Sequence, residues 1–138
     1  MSFKVVEATT DADLEALVRC EFDSYENPIC NLKQLFFPAE NSSPEAREAA
    51  IQSAVKRQTH WHRSDPTSVW LKVVDETSGA VVGGACWHVY DADPYSTDSD
   101  EECDWWAAGE DRDIANGLMA QFLTPRMTWM KKPHVCKC

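Results

Sequence analysis

The stretch Ser68-Val-Trp-Leu-Lys-Val-Val-Asp75, then Glu76-Thr-Ser-Gly79, then Ala80-Val-Val-Gly-Gly-Ala-Cys-Trp-His-Val-Tyr90, sets the class of this fold. Both long segments are rich in β-branched and aromatic residues, which suit a pleated, half-buried surface. The four residues between them are polar and end in glycine, the pattern of a hairpin connection. Two paired strands are therefore predicted over Ser68 to Tyr90.

Toward the N-terminus, Phe3 to Glu7 alternates apolar and polar residues over its first half and suits a short first strand. Thr10-Asp-Ala-Asp13 places a hydroxyl N-cap three residues before an acid, a variant of the capping box. The helix that follows carries Leu14, Leu17, Val18 and Phe22 on one face and Tyr25 at its end, and Asn27-Pro28 breaks it. Ile29 to Phe37 is apolar without a period and reads as a loop or short helical turn. Ser43-Pro44-Glu45 is a strong helix start, with Ser as N-cap and Pro at the first helical position. That second helix is expected to run through Ala46, Ala50 and Ala54 to Trp61 and to end before Asp65-Pro66.

Toward the C-terminus, Asp91 to Asp113 reads as a long acidic loop containing Trp105-Trp106. It holds ten carboxylates against one base, Arg112, and so accounts for nine of the chain's ten net negative charges. A helix bearing Ile114, Leu118 and Phe122 is predicted next, with Pro125 kinking or restarting it and Lys131-Lys132-Pro133 closing it. The closing His134-Val-Cys-Lys-Cys138 resembles the start of another strand. The order β, α, α, β, β, loop, α, β implies one α/β (α+β) domain over residues 1–138, with a mixed sheet and flanking helices.

Composition narrows the partners. The hydrophobic share is 43% and the charged share 26%, a globular balance. A net charge of −10 argues against DNA, RNA or an anionic membrane face as partner. No apolar run approaches the ~20 residues that span a bilayer. Met-Ser-Phe-Lys-Val-Val-Glu7 lacks a secretory pattern. A soluble cytoplasmic protein is expected, and its six cysteines (Cys20, Cys30, Cys86, Cys103, Cys136, Cys138), having no repeated spacing, are read as thiols rather than a disulfide framework.

Three segments carry a family resemblance. They are Phe3 to Asp13, with Ala-Thr-Thr-Asp-Ala-Asp leading into the first helix; Trp70 to Trp87, with Val-Val-Asp before the turn and Val-Val-Gly-Gly-Ala-Cys-Trp after it; and Trp105 to Pro133, followed by His134. Together they resemble the N-terminal half of a GNAT-type (GCN5-related) N-acetyltransferase, of a fungal-like branch. The resemblance implies an acyl-CoA N-acyltransferase fold and transfer of acetyl from acetyl-CoA to a small-molecule or peptide amine. It further implies Phe22, Tyr25 and Trp87 as acceptor-side residues.

In that family the cofactor is held by a later basic, glycine-rich loop opening a helix, whose N–H groups cradle the pyrophosphate. The five glycines here, Gly79, Gly83, Gly84, Gly109 and Gly117, form no such motif. The resemblance thus implies a truncated domain that keeps the acceptor side, stops at Cys138 where the family's fourth strand begins, and does not turn over alone. The catalytic residues stay unassigned.

From Asp91, acids fall at EF-hand positions 1, 3 and 12 (Asp91, Asp93, Glu102), but Pro94 and Ser96 occupy positions that a calcium loop fills otherwise, and a solvated loop is favoured. The same carboxylates could steer a cationic amine. His134-x-Cys136-x-Cys138, with His60 or His62, has poor spacing for zinc. Cys86 and His88 share one face of a strand, which allows a Cys–His nucleophile pair, though core packing is the commoner role. Trp70, Trp87, Trp105, Trp106 and Trp129 are expected between sheet and helices. A second functional class is an interaction protein that self-associates through its open strand edge. A third is a poorly stable truncated product, weakly protected against hydrogen exchange.

Overall fold

A computed structural model describes residues 2–26, 28, 30, 43–95 and 102–137. The elements are β1 (Phe3–Glu7), α1 (Asp11–Glu26), α2 (Pro44–Ser64), β2 (Ser68–Asp75), β3 (Val81–Tyr90), α3 (Glu110–Trp129) and β4 (His134–Lys137). Among the described residues this is an α+β arrangement of three helices and an open four-stranded sheet in the order β1-β2-β3-β4. The loop or turn expected over Ile29 to Phe37 lies mostly outside the described residues, as do Cys138 and the centre of the acidic segment.

Every pairing in the sheet is antiparallel, which corrects the expected mixed sheet. For β1 and β2 the reason lies in the two helices that join them: α1 returns along the sheet and α2 reverses the chain again. Ion pairs at both ends of the helix pair show the antiparallel course: Arg63 near the end of α2 meets Asp11 at the start of α1, and Arg47 near the start of α2 meets Asp23 and Glu26 at the end of α1.

The capping box at Thr10 forms as predicted. Asp13 N–H donates to Thr10 Oγ1 at 3.2 Å, and Asp13 Oδ2 accepts from the Thr9 and Thr10 N–H groups at 3.1 Å each. Ser43 caps α2 by accepting from Ala46 N–H at 3.2 Å. The hairpin closes where expected: Asp75 N–H donates to Ala80 O at 2.9 Å, and Gly79 takes φ of 74°.

One face of α1 supplies two adjoining clusters. Val18 and Phe22 pack with Ile51 and Ala54 of α2, while Leu14 and Leu17 pack with Ala8 and reach Trp70 and Val81. The helix lies very close to the sheet at Gly84, where a Cβ would stand 2.1 Å from Leu17 Cδ2 and 2.9 Å from the Leu71 carbonyl oxygen.

Three expectations are revised farther along. The acidic segment ends at Gly109, because α3 already begins at Glu110. Pro125 does not restart the helix: α3 runs unbroken to Trp129. Its inner face holds Ala115, with Leu118 half-buried, whereas Ile114 and Phe122 are exposed. Of the tryptophans, Trp70 joins the core, but Trp129 is 83% exposed and Trp105 packs edge-on to Trp61 at 5.6 Å. The Arg57 guanidinium lies over both Trp61 and Trp105, a cation–π contact that places these two rings beside α2. No helix among the described residues is long and apolar enough to cross a membrane.

Candidate functional site

A cavity of about 350 Å³ opens between the C-terminal half of α1 and the start of β3. Helix α1 contributes Leu17, Cys20, Glu21, Ser24 and Tyr25 to its wall. Trp70 and the run Val82 to Cys86 form the floor. The space exists because the floor carries little side-chain bulk: two glycines, an alanine and a cysteine follow Val82. The polar groups are concentrated on α1. Glu21 accepts from the buried Gln58 amide at 3.1 Å, which fixes its carboxylate at the wall. The Cys20 thiol is pushed up by burial and by the nearby Asp23 and Glu21 carboxylates, so it stays protonated at neutral pH.

At the end of the floor stands a second arrangement. Cys86 Sγ lies 3.6 Å from His88 Nε2, and His88 Nδ1 lies 3.0 Å from Asp65 Oδ2. Thr67 Oγ1 is 3.1 Å from His88 Nδ1 and donates to Asp65 Oδ1 at 2.6 Å. The Ser68 hydroxyl sits 3.7 Å from Cys86 Sγ and 3.0 Å from His62 Nδ1.

The local structure explains how these residues meet. Asp65 caps the end of α2 through its N–H to Trp61 O, and its carboxylate takes the Thr67 N–H in a tight turn into β2. The hairpin register then sets Ser68 opposite His88 and Trp70 opposite Cys86. Burial raises the Asp65 pKa, but the Thr67 hydrogen bonds and the neighbouring His88 outweigh it and leave the carboxyl below its usual value.

Of the three acceptor-side residues implied by the resemblance, Tyr25 lines the cavity. Phe22 lies 2% exposed in the core against Ile51, on the side of α1 turned toward α2 and not on the cavity side. Trp87, between Cys86 and His88, points to the other face of the sheet, because successive strand residues alternate. The Cys86–His88 pairing was legible from their spacing. Glu21 and Asp65 were not singled out; the Asp-Pro-Thr-Ser turn feeding β2 was the available signal for Asp65.

The metal readings find no convergence of three or more His, Cys, Asp or Glu side chains among the described residues. Ser96 of the calcium pattern and Cys138 of the zinc pattern lie outside those residues. The pyrophosphate of acetyl-CoA would need unopposed N–H groups at a helix start. Each described helix carries acid in its first turn: Asp11 and Asp13 in α1, Glu45 in α2, and Glu110, Asp111 and Asp113 in α3. Asp11 and Asp13 are paired with Arg63 and Lys72, whereas the three acids of α3 oppose a pyrophosphate at its start.

Comparison of the chain with protein-family models, with curated proteins and with solved structures yields no match.

Proposed function

We propose that the chain is an N-acetyltransferase-like protein whose cavity between α1 and β3 holds an amine acceptor. The observation that carries this reading is the meeting of the Glu21 carboxylate and Tyr25 with the Trp70 ring around one cavity. A carboxylate held by Gln58 suits an ammonium head, and an aromatic floor suits an apolar substituent on it. The element order is also the one on which the resemblance to GNAT-type enzymes rests.

Because the five glycines form no pyrophosphate loop and the acids of α3 oppose a pyrophosphate at its start, this chain by itself binds an amine and does not turn over acetyl-CoA. Calorimetry with acetyl-CoA is expected to show no micromolar binding, and such binding overturns the prediction. In a matched NMR titration, 2-phenylethylamine is expected to shift resonances lining the cavity. Glu21→Gln is expected to weaken that amine about tenfold, as loss of one charge-assisted contact does. Unchanged affinity removes the amine reading.

A second reading, a non-catalytic module that pairs two copies through the open sheet edge, is favoured by a separate observation. Among the described residues β4 pairs only with β3, and the sheet face turned away from α1 exposes Phe3, Val5, Val89 and Val135. Sedimentation velocity across a concentration series separates the two readings.

A further inference from the structure

We propose that Cys86 is a nucleophilic thiol that accepts an acyl group from a thioester or activated ester in the α1–β3 cavity, with His88 as its base and Asp65 positioning the imidazole. This goes beyond the amine-binding reading and stands without it, since the step needs only an acyl carbonyl delivered to Sγ.

The hydrogen-bond inventory around His88 decides which ring nitrogen holds the proton. Asp65 Oδ2, 3.0 Å from Nδ1, can only accept. Thr67 Oγ1, 3.1 Å from the same nitrogen, has already directed its hydrogen to Asp65 Oδ1 and can likewise only accept. Nδ1 therefore carries the N–H, and Nε2 presents its lone pair to Cys86 Sγ at 3.6 Å. A nucleophile facing a base that a third group orients is the arrangement that activates a thiol. The Ser68 hydroxyl, 3.7 Å from Sγ, can direct its hydrogen at a thiolate when His62 donates to its oxygen.

Access comes from the cavity. Cys86 is 9% exposed overall, yet it forms part of the cavity floor. The other groups facing this site are Tyr90, stacked on His88 at 5.6 Å, and Cys136, opposite His88 on β4. Cys20, Glu21 and Tyr25 face it from α1.

The step balances without a redox partner. Sγ attacks the acyl carbonyl and its proton passes to His88 Nε2. The bond from the acyl carbon to the leaving thiolate or alkoxide breaks, that group takes the electron pair and the proton, and an S-acyl-Cys86 thioester remains. Water or an amine then attacks the thioester, giving a carboxylic acid or an amide and restoring the thiol.

The test uses the full chain with p-nitrophenyl acetate and, separately, iodoacetamide. Cys20 and Cys103, whose thiols are both raised above the usual value chiefly by burial, serve as internal references. Peptide mapping is expected to place the acetyl group on Cys86. Site-resolved alkylation at neutral pH is expected to run about tenfold or more faster at Cys86 than at either reference, as an imidazole-activated thiol does. His88→Gln is expected to remove that advantage, and Asp65→Asn to reduce it and shift its pH profile. Alkylation of wild-type Cys86 no faster than the references overturns the proposal, whether or not the variants fold. So does a natively folded His88→Gln that retains the wild-type rate. The 2-phenylethylamine titration reads amine binding in the cavity and the alkylation rate reads Cys86 itself, so either proposal can fail while the other stands.

Discussion

Asp13 ties local structure to packing. Its Oδ2 takes the Thr9 and Thr10 N–H groups, and its Oδ1 takes the Lys72 ammonium from the centre of β2. The cap of α1 and its docking on the sheet therefore share one carboxylate. The Lys72 contact is the main force holding the Asp13 pKa well below its ordinary 3.8; partial burial opposes it, and Thr10 and Thr9 assist. A depressed carboxyl contributes stability that is present above the unfolded value of 3.8 and is lost as pH falls through the folded value. Asp13→Asn retains an oxygen for the cap but cannot pair with Lys72. It is expected to cost about 1–2 kcal/mol near neutral pH. Urea titrations below about pH 4 are expected to show the difference from wild type shrinking; a difference that grows there contradicts this account. Phe22 teaches a different lesson at the same scale. Its place on the apolar face of α1 was evident, but only the position of α2 made it a core residue rather than part of the cavity.

Among the elements, the β2–β3 hairpin governs the rest. Its register sets Ser68 against His88 and Trp70 against Cys86, and its two adjacent glycines meet different surroundings. At Gly84 an added Cβ would stand 2.1 Å from Leu17 Cδ2 and 2.9 Å from a backbone oxygen, so α1 or the strand must move. At Gly83 the nearest atoms belong to Val73 at 3.9 Å, an ordinary contact. Gly84→Ala is expected to lower stability by about 2–3 kcal/mol and to perturb the cavity. Gly83→Ala is expected to be neutral or stabilising by up to about 1 kcal/mol, through the lower entropy of the unfolded chain. Thermal denaturation of the pair checks both, and equal effects contradict the close seating of α1. Helix α3 shows the opposite kind of dependence. Its four-residue apolar spacing marks a stripe through Ile114, Leu118 and Phe122, yet the helix buries Ala115 and leaves Ile114 and Phe122 exposed. Periodicity identifies a helix; which stripe is covered depends on what lies beside it.

Taken whole, the molecule is asymmetric in both charge and cover. Nine of the ten net negative charges arise from Asp91 to Asp113, which runs from the end of β3 into the first turn of α3. One face of the sheet is covered by α1, while the other exposes Phe3, Val5, Val89 and Val135. Exposed apolar strands beside an unpaired edge are a template for association. If the chain works as an edge-pairing module, Val135→Lys on β4 is expected to abolish concentration-dependent sedimentation and leave the circular dichroism unchanged. A wild type that sediments as a monomer throughout the series removes that reading.

What the sequence by itself determined is what short-range chemistry specifies. The capping box at Thr10 and Asp13, the Ser43-Pro44 helix start and the Gly79 turn each rest on bonds or dihedrals within a few residues, so their signals were complete in the local text. The pairing of Cys86 with His88 was visible for the same reason, two residues apart on one strand. The arrival of Asp65 from the end of α2, the packing of Phe22 against α2, the choice of which sheet face α1 covers and the antiparallel order of the sheet were not visible. Each depends on strand register and on how two successive helices fold back over the sheet, and those are set by packing between distant segments. The resemblance to N-acetyltransferases implied an acceptor side; only the tertiary structure set Cys86 in the floor of the α1–β3 cavity with an imidazole and a carboxylate behind it.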